Sequence, residues 1–317
     1  MRFLLVFLLY IASASADAPV ANLSGTQWLA KVSEAMKNLS YHGTVVFMKN
    51  GQLDTMKYQH VMDNGIEIER LTSLNSPLRE VTRKSNEISC LYKETSQKTE
   101  TQNPIDRSFI VNLPAAPEKL DQHYLFALAS QEMVAMRPAQ IVAVLPKDGL
   151  RYARKIWVDK ATWLPLKVEV YGQGGNTLEQ VLFTELEIGA SQPVPATEAA
   201  SAQTEAQTHA RVAQAESLET AAFQLKNWPA GFEKVFFIRN IMQQSQKTVE
   251  HLLLSDGFSN VSVYFEAKGD KTIEGLRSLG PVNSYSRAIG KLQVTVLGEV
   301  PAETVEFVAR GVALRGD

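Results

Sequence analysis

A segment without aromatic residues divides this chain and limits the fold more than any other feature. Residues Ser191 to Ser217 read SQPVPATEAASAQTEAQTHARVAQAES and consist mostly of Ala, Gln, Thr, Ser and Glu. So little apolar surface does not offset the entropy lost when a chain becomes ordered. The segment is therefore predicted to contain a linker, placed at 191–212. A chain of 317 residues is then expected to form two domains, since a domain takes roughly 150 residues.

The N-terminus has the pattern of an export signal. Arg2 precedes the apolar run Phe3–Ile11, and Ala14–Ala16 (ASA) follows with small residues where signal peptidase requires them. The run is much shorter than the about 20 residues that a membrane-spanning helix needs. We therefore predict a signal peptide over residues 1–16 and a mature protein in the periplasm. Cys90 is the single cysteine, so no intramolecular disulfide forms, and stability depends on hydrophobic cores.

The predicted N-terminal domain, residues 17–190, begins with a helix and continues mainly as strands. Ser24 or Thr26 caps the first helix, and Asn50-Gly51 indicates a two-residue hairpin. A second, shorter helix is predicted over His123–Met136. Strands with one apolar face follow later in the domain, and antiparallel strands of this kind curve over a helix or close toward a barrel.

The predicted C-terminal domain, residues 213–317, is smaller. Val261–Phe265 and Leu292–Val296 alternate between apolar and polar residues, as strands do. Val305–Val312 repeats apolar residues at helical spacing. About four strands and a closing helix are expected from these patterns. Both domains are therefore predicted to be α+β.

Charge and motifs argue against nucleic-acid binding and catalysis. The chain has 32 Lys and Arg against 34 Asp and Glu and a pI of about 6.3, so it lacks the basic character of a nucleic-acid binder. Its five histidines show no metal-ligand spacing. Gly172–Gly175 lies between two strand patterns rather than before a helix, and it is predicted to be a hairpin turn. No enzymatic activity, metal or cofactor is predicted.

Two groups of reactive side chains are interpreted as structural. Cys90 lies inside an apolar strand pattern and is predicted to be a small buried residue. The carboxylate pairs Glu67/Glu69 and Glu185/Glu187 have two-residue spacing, which places each pair on one face of a strand. That face is predicted to be the solvent face.

Binding is the class of function that remains. The inward faces of the predicted curved sheet carry aliphatic and aromatic residues, and if the sheet does not close, they line a cavity for acyl chains. The predicted lipid-binding residues are Val45, Phe47, Leu91, Trp157, Val168 and Val170. The alternative, in which the same side chains form an ordinary filled core, stays open.

Short motifs along the chain resemble those of a known family, in the same order and at similar spacing. They are Arg79–Val81, Asn86–Ser89, Asp148–Tyr152 (DGLRY), Ile156–Asp159 (IWVD), Leu164–Val168 (LPLKV), Leu178–Gln180, Trp228–Phe232 (WPAGF), Ser255–Ser259 (SDGFS) and Gly298–Pro301. Together they resemble the RseB/MucB family, periplasmic negative regulators of the envelope-stress sigma factor. The resemblance covers nearly all of the mature chain.

The resemblance implies a fold, a partner and a signal. It implies an N-terminal domain similar to the lipoprotein carriers of the Lol pathway, an unclosed antiparallel β-barrel with helices, followed by a smaller C-terminal α+β domain. The C-terminal domain is implied to bind the periplasmic part of a membrane-spanning anti-sigma factor and so shield it from regulated proteolysis. Lipopolysaccharide or lipoprotein acyl chains are implied to cause its release.

For the partner surface we predict Trp228 and Phe232, because aromatic side chains often anchor interfaces. The alternative is that their W-P-x-G-F motif only fastens a turn. A second function also stays open, in which the protein carries lipoproteins or lipids and regulates nothing. The extra C-terminal domain favours the regulator. The oligomeric state is left open, and a homo-oligomer is compatible with the sequence.

Overall fold

The computed structural model describes residues 23–63, 65–75, 79–85, 87–92, 97–102, 108–189, 216–241, 248–269 and 274–315. The predicted signal peptide, 1–16, and the predicted linker, 191–212, lie outside these residues. None of the helices in the described part of the chain is both long enough and apolar enough to cross a membrane.

The N-terminal domain is one antiparallel sheet with a helix on it. Its elements are α1 (Gly25–Asn38), β1 (Tyr41–Lys49), β2 (Gln52–Asp63), β3 (Ile66–Ser73), β4 (Arg79–Lys84), β5 (Glu87–Tyr92), β6 (Gln97–Gln102), a short 3-10 turn (Pro117–Leu120), β7 (Tyr124–Val134), β8 (Arg137–Pro146), β9 (Ala153–Asp159), β10 (Pro165–Tyr171) and β11 (Thr177–Ile188). The order of its eleven strands is β6-β5-β4-β3-β2-β1-β11-β10-β9-β8-β7. β6 and β7 are the two end strands of the sheet, and among the described residues they do not pair with each other. The predicted unclosed barrel is therefore confirmed.

Helix α1 forms because its N-terminus is capped and one of its faces is apolar. Ser24 accepts a hydrogen bond from the backbone of Gln27, whose side chain accepts one from the backbone of Ser24. This capping box satisfies two backbone donors that a helix start leaves open. Trp28, Leu29 and Val32 are buried in the core of the sheet. The helix therefore begins as predicted and covers one face of the sheet.

The hairpin between β1 and β2 is also confirmed. Asn50 and Gly51 have φ of 56° and 73°, and Lys49 pairs with Gln52 across the turn. Both turn residues thus adopt the left-handed conformation that Asn-Gly favours, and this turn sets the strand register.

The predicted helix over His123–Met136 is wrong, because β7 occupies this region. β7 pairs with β8 and forms one end of the sheet. Leu125, Leu128 and Met133 are exposed there, so they do not form a buried helical face. β8 is a buried strand with several β-branched residues. Pairing with β8 decides the conformation of the segment, since strand formation depends on tertiary context more than on local preference.

The C-terminal domain contains a second antiparallel sheet and a helix. Its elements are a 3-10 turn (Leu218–Thr220), β12 (Phe223–Leu225), β13 (Glu233–Ile241), β14 (Thr248–Ser255), β15 (Asn260–Ala267), β16 (Gly275–Leu279), β17 (Val282–Ile289), β18 (Leu292–Gly298), α2 (Ala302–Arg310) and β19 (Val312–Leu314). The six-stranded sheet has the order β13-β14-β15-β18-β17-β16, and β12 pairs with β19. The domain is thus larger than the expected four strands, and the closing helix is confirmed.

A histidine on β14 makes the C-terminal domain sensitive to acid. His251 stacks on Tyr264 with ring centroids 4.2 Å apart, and burial lowers its pKa from 6.5 to about 4. Between these values the unfolded chain binds more protons than the folded chain. We therefore expect the free energy of unfolding to fall as the pH drops from about 6.5 to 4. Urea denaturation over this range should show the fall in the wild type, and a smaller fall in His251→Phe. Equal slopes would contradict the burial of a neutral imidazole.

Candidate functional site

The six predicted lipid-binding residues do not share one environment. Three are buried in the hydrophobic core of the N-terminal domain, namely Val45, Trp157 and Val168. Three are half-buried, namely Phe47, Leu91 and Val170. Cys90, predicted to be buried, is also half-buried and is a free thiol. The buried three fill a core in this conformation, so an acyl chain reaches them only by displacing neighbours. Lipid binding by the six residues stays a prediction.

Trp228 and Phe232, the predicted partner residues, lie together at a turn of the C-terminal domain. Nε1 of Trp228 donates a hydrogen bond to the backbone oxygen of Phe232 at 3.1 Å. Phe232 is 3% exposed, and the guanidinium of Arg151 lies 4.9 Å from its ring centroid. The motif therefore stabilises a turn, and the phenyl ring of Phe232 faces the N-terminal domain. Partner binding by the two residues stays a prediction, and a partner reaches the Phe232 ring only if Arg151 moves.

A buried ion pair joins the two domains. Arg151, between β8 and β9, donates from Nε to Oδ2 of Asp256, between β14 and β15, at 2.9 Å. Neither side chain is exposed to solvent. Arg151 also donates to the carboxylate of Asp148 and to the backbone oxygen of Ala230. Buried charges are stable only when they are paired and hydrogen-bonded. The pair therefore requires both domains to be in place, and we call this contact region the domain joint.

The carboxylate of Asp256 receives hydrogen bonds from both domains. Its Oδ1 accepts the backbone N–H groups of Phe258 at 3.0 Å and Ser259 at 2.8 Å. Its Oδ2 accepts the hydroxyl of Tyr124 at 2.6 Å, in addition to the bond from Arg151. Burial and the nearby charge of Asp256 raise the pKa of Tyr124, so the hydroxyl stays a donor. These four donors bond to both oxygens of the buried carboxylate.

Phe258 adds an apolar contact to the domain joint. It belongs to the C-terminal chain segment but packs into the core of the N-terminal domain, where it is 2% exposed. Its ring centroid lies 5.3 Å from Tyr124 and 6.1 Å from Phe126. The preceding Gly257 has φ of +90°, and a Cβ atom there would lie 2.6 Å from Cα of Pro114. The close approach of the two backbones therefore requires glycine at this position.

Two more hydrogen bonds extend the joint along the loop before β9. Nδ2 of Asn283 donates to the hydroxyl of Tyr152 at 2.9 Å, and Oγ1 of Thr304 donates to the backbone oxygen of Leu150 at 2.8 Å. Leu150, Arg151 and Tyr152 thus each bond to the C-terminal domain. A loop with three successive contacts of this kind holds the domains in one orientation.

Three of the motifs that carry the family resemblance meet at the domain joint. Asp148–Tyr152 supplies Arg151, Ser255–Ser259 supplies Asp256, and Trp228–Phe232 supplies the ring beside the guanidinium. Sequence reasoning missed this convergence because Arg151 and Asp256 are 105 residues apart and no local pattern relates them. One signal in the sequence pointed to such a contact: each of the three motifs combines a turn glycine with a charged or aromatic residue that a simple turn does not require.

The prediction that Glu67 and Glu69 face solvent is wrong. Glu69 is fully buried and accepts hydrogen bonds from Nε of Arg83 at 2.8 Å and from the hydroxyl of Tyr58 at 2.6 Å. Nη2 of Arg83 lies 2.5 Å from Glu67, which is partly buried. Pairing of Glu69 with Arg83 across β3 and β4 explains the burial, because each charge compensates the other. Within the described ranges no three His, Cys, Asp or Glu side chains form a group that could hold a metal ion.

An open antiparallel sheet docked through a buried ion pair onto a smaller sheet domain defines a two-domain class of protein. The MucB/RseB N-terminal domain matches residues 24–211, and the MucB/RseB C-terminal domain matches residues 217–313. The chain belongs to the MucB/RseB family.

Relatives match over nearly the whole chain. The sigma factor AlgU regulatory protein MucB of Pseudomonas aeruginosa is 32% identical over 312 residues, which is 95% of each chain. The sigma-E factor regulatory protein RseB of Salmonella typhimurium is 27% identical, over 99% of this chain and 97% of the relative. The crystal structure of MucB in complex with MucA(peri) superposes with a TM-score of 0.71 at 28% identity, covering 92% of this chain and 100% of that one.

Proposed function

We propose that this protein is a periplasmic regulator that binds the periplasmic part of a membrane-spanning anti-sigma factor and protects it from proteolysis. The similarity of both domains to MucB, which has been crystallised with MucA(peri), is the observation that carries the proposal. The domain joint supports it, because two domains held in one orientation offer a partner polypeptide a single continuous surface.

In this proposal lipopolysaccharide or lipoprotein acyl chains release the anti-sigma factor. A ligand shifts such an equilibrium only if it binds the two states with different affinities. A shift from 99:1 to 1:99 needs a difference of about 5.5 kcal/mol, which about seven buried methylene groups supply at roughly 0.8 kcal/mol each. Of the predicted lipid-binding residues, the half-buried Phe47, Leu91 and Val170 are those that an acyl chain meets first.

A pull-down from a detergent extract of the source bacterium's envelope tests the proposal. The tagged mature protein is expected to retain an anti-sigma factor with one membrane span, identified by mass spectrometry. Added lipopolysaccharide is expected to reduce the amount of anti-sigma factor retained, because the lipid-bound protein binds the anti-sigma factor more weakly.

A tagged, unrelated periplasmic protein is the control for non-specific retention. Recovery of lipoproteins without an anti-sigma factor would support the carrier function instead. Equal recovery of the anti-sigma factor with and without lipopolysaccharide would contradict lipid-dependent release but leave the partner assignment standing.

A further inference from the structure

Two strained turns meet at one end of the N-terminal sheet. Ala135 and Met136 form the two-residue turn between β7 and β8, with φ of 49° and 60°, and Trp163, between β9 and β10, has φ of 65°. In the described part of the chain five residues other than glycine have positive φ, and these are three of them. Backbone strain of this kind clusters at functional sites, so this end of the sheet is a candidate surface.

The residues of the β7–β8 turn are not those that its geometry favours. A two-residue turn with positive φ at both positions favours Asn-Gly, which this chain has at Asn50-Gly51. Alanine and methionine carry a Cβ atom, which makes the left-handed conformation unfavourable. Met136 is 93% exposed, so packing within the protein does not compensate for the strain. The turn therefore presents an apolar side chain to the outside at a loss of stability.

A buried carboxylate fixes the two turns to each other. Asp159, at the end of β9, is buried, and its Oδ2 accepts hydrogen bonds from Nε of Arg137 at 3.0 Å and from the hydroxyl of Thr162 at 2.6 Å. The backbone N–H of Lys160 also donates to the carbonyl oxygen of Pro138 at 3.0 Å. The two turns therefore form one preorganised surface rather than two independent loops.

Two exposed methionines and an indole ring make this surface apolar. Besides Met136 at the tip, Met133 near the end of β7 is 66% exposed. Trp163 is half-buried, and its ring centroid lies 4.6 Å from that of Trp28 on α1. The domain thus holds the Trp163 ring in place while part of the residue reaches solvent. We call the surface formed by Met133, Met136 and Trp163 the methionine surface.

The charges beside the methionine surface nearly cancel. Arg137 pairs with the buried Asp159 at 3.0 Å. Lys160 is exposed and donates to the side chain of Gln131 at 3.0 Å, with no carboxylate partner in the described ranges. Glu132 on β7 is exposed as well and supplies one negative charge. A partner of this surface is therefore expected to be attracted by apolar contact more than by charge.

The methionine surface lies away from the C-terminal domain. β7 is 11 residues long and starts at Tyr124, whose hydroxyl donates to Asp256 in the domain joint. At about 3.3 Å per residue, the turn at its other end is roughly 30 Å from that contact. A partner bound at the methionine surface therefore leaves the domain joint free.

We propose that the methionine surface docks onto a phospholipid membrane. The side chains of Met133 and Met136 enter the layer between the headgroups, and the indole of Trp163 lies at the interface, where tryptophan is enriched. A lipid layer fits better than a protein partner, because a stable protein interface buries about 800 Å² on each side. A hairpin tip with one neighbouring turn offers less than that. Three apolar side chains give weak and reversible binding.

The first test places an environment-sensitive fluorophore at the tip. In the full-length mature protein with Cys90→Ser, the variant Met136→Cys is labelled with a nitrobenzoxadiazole dye and mixed with vesicles of phosphatidylethanolamine and phosphatidylglycerol. We expect the emission to shift to the blue and to saturate with lipid, because the dye leaves water. The same dye at Leu53→Cys, where leucine is 60% exposed on β2, should not respond. No response at position 136, or equal responses at both positions, would overturn the proposal.

The second test separates the role of the tip from the stability of the turn. The double variant Ala135→Asn/Met136→Gly introduces the favoured turn residues and removes the apolar tip. We expect a higher urea midpoint than for the wild type, and about tenfold weaker partitioning into the same vesicles in flotation, or about 1.4 kcal/mol. Leu53→Gln is the matched control, since it also removes an exposed apolar side chain, and should partition like the wild type. Unchanged partitioning of the double variant would contradict docking through the tip, and a lower urea midpoint would contradict the strain that motivates it.

Salt concentration separates apolar docking from attraction by charge. Because the charges beside the methionine surface nearly cancel, partitioning should change little as salt is raised. Partitioning that is lost at high salt would show that charges elsewhere on the protein hold the vesicles, and the proposal would fail. These measurements use no anti-sigma factor, so their outcome is independent of the proposed function.

Discussion

Replacing Asp256 with alanine is expected to lower the free energy of unfolding by about 3–5 kcal/mol, because it breaks a buried ion pair and leaves the Tyr124 hydroxyl without its acceptor. Asp148 is then the one carboxylate still paired with Arg151 among the described residues. Arg151 has no exposed surface from which it could regain hydration without opening the domain joint. The loss should appear in urea denaturation monitored by tryptophan fluorescence. It should be accompanied by faster proteolysis, since the separated domains expose apolar surface around Phe258.

Two controls make this result specific to the ion pair. Asp121→Ala removes an exposed carboxylate outside the joint and should change the free energy of unfolding by less than about 0.5 kcal/mol. The double variant Arg151→Met/Asp256→Leu removes both buried charges and should be more stable than either single variant, since the carboxylate that loses its partner, Asp148, is partly exposed to solvent. A loss for Asp256→Ala no greater than that for Asp121→Ala would show that the pair is hydrated in solution.

Replacing Gly257 with alanine is expected to separate the domains without removing any charge. The new Cβ atom would lie 2.6 Å from the backbone of Pro114, and φ at this position is +90°. The left-handed conformation costs about 1 kcal/mol or more for a residue other than glycine, and the clash adds about 1–3 kcal/mol. We therefore expect a loss of about 3 kcal/mol and a larger radius of gyration in small-angle X-ray scattering.

Gly275→Ala is the matched control, because it introduces similar backbone strain without a clash. Gly275 has φ of +97°, and a Cβ atom there has no other atom within 4 Å. Its substitution should lower the free energy of unfolding by about 1 kcal/mol and leave the radius of gyration unchanged. Equal behaviour of the two variants would mean that the close approach of Gly257 to Pro114 does not hold the domains together.

The parts of the fold that could be predicted from the sequence are those set by neighbouring residues. The start of α1 follows from a capping pattern at Ser24, and the first hairpin follows from Asn50-Gly51. β7 could not be predicted in the same way, because its conformation depends on pairing with β8, outside the segment itself. Local chemistry thus identifies turns and caps, while tertiary pairing decides ambiguous strands.

The candidate site could be predicted only in part, for the same physical reason. Aromatic and aliphatic residues indicated binding surfaces, but whether Val45 or Trp157 fills a core or lines a cavity depends on packing that the sequence does not contain. Glu69 shows the limit most clearly. Two-residue spacing predicts its face on the strand, but its burial depends on Arg83 on the next strand.

The buried ion pair also dictates an order of assembly. Arg151 precedes Asp256 by 105 residues, so a chain that folds from its N-terminus places Arg151 first. An N-terminal sheet that folds early must therefore keep Arg151 hydrated until the second domain is complete. Both charges then lose their water when the two domains dock. The rate of docking should therefore depend on salt concentration more than the rate at which either sheet folds.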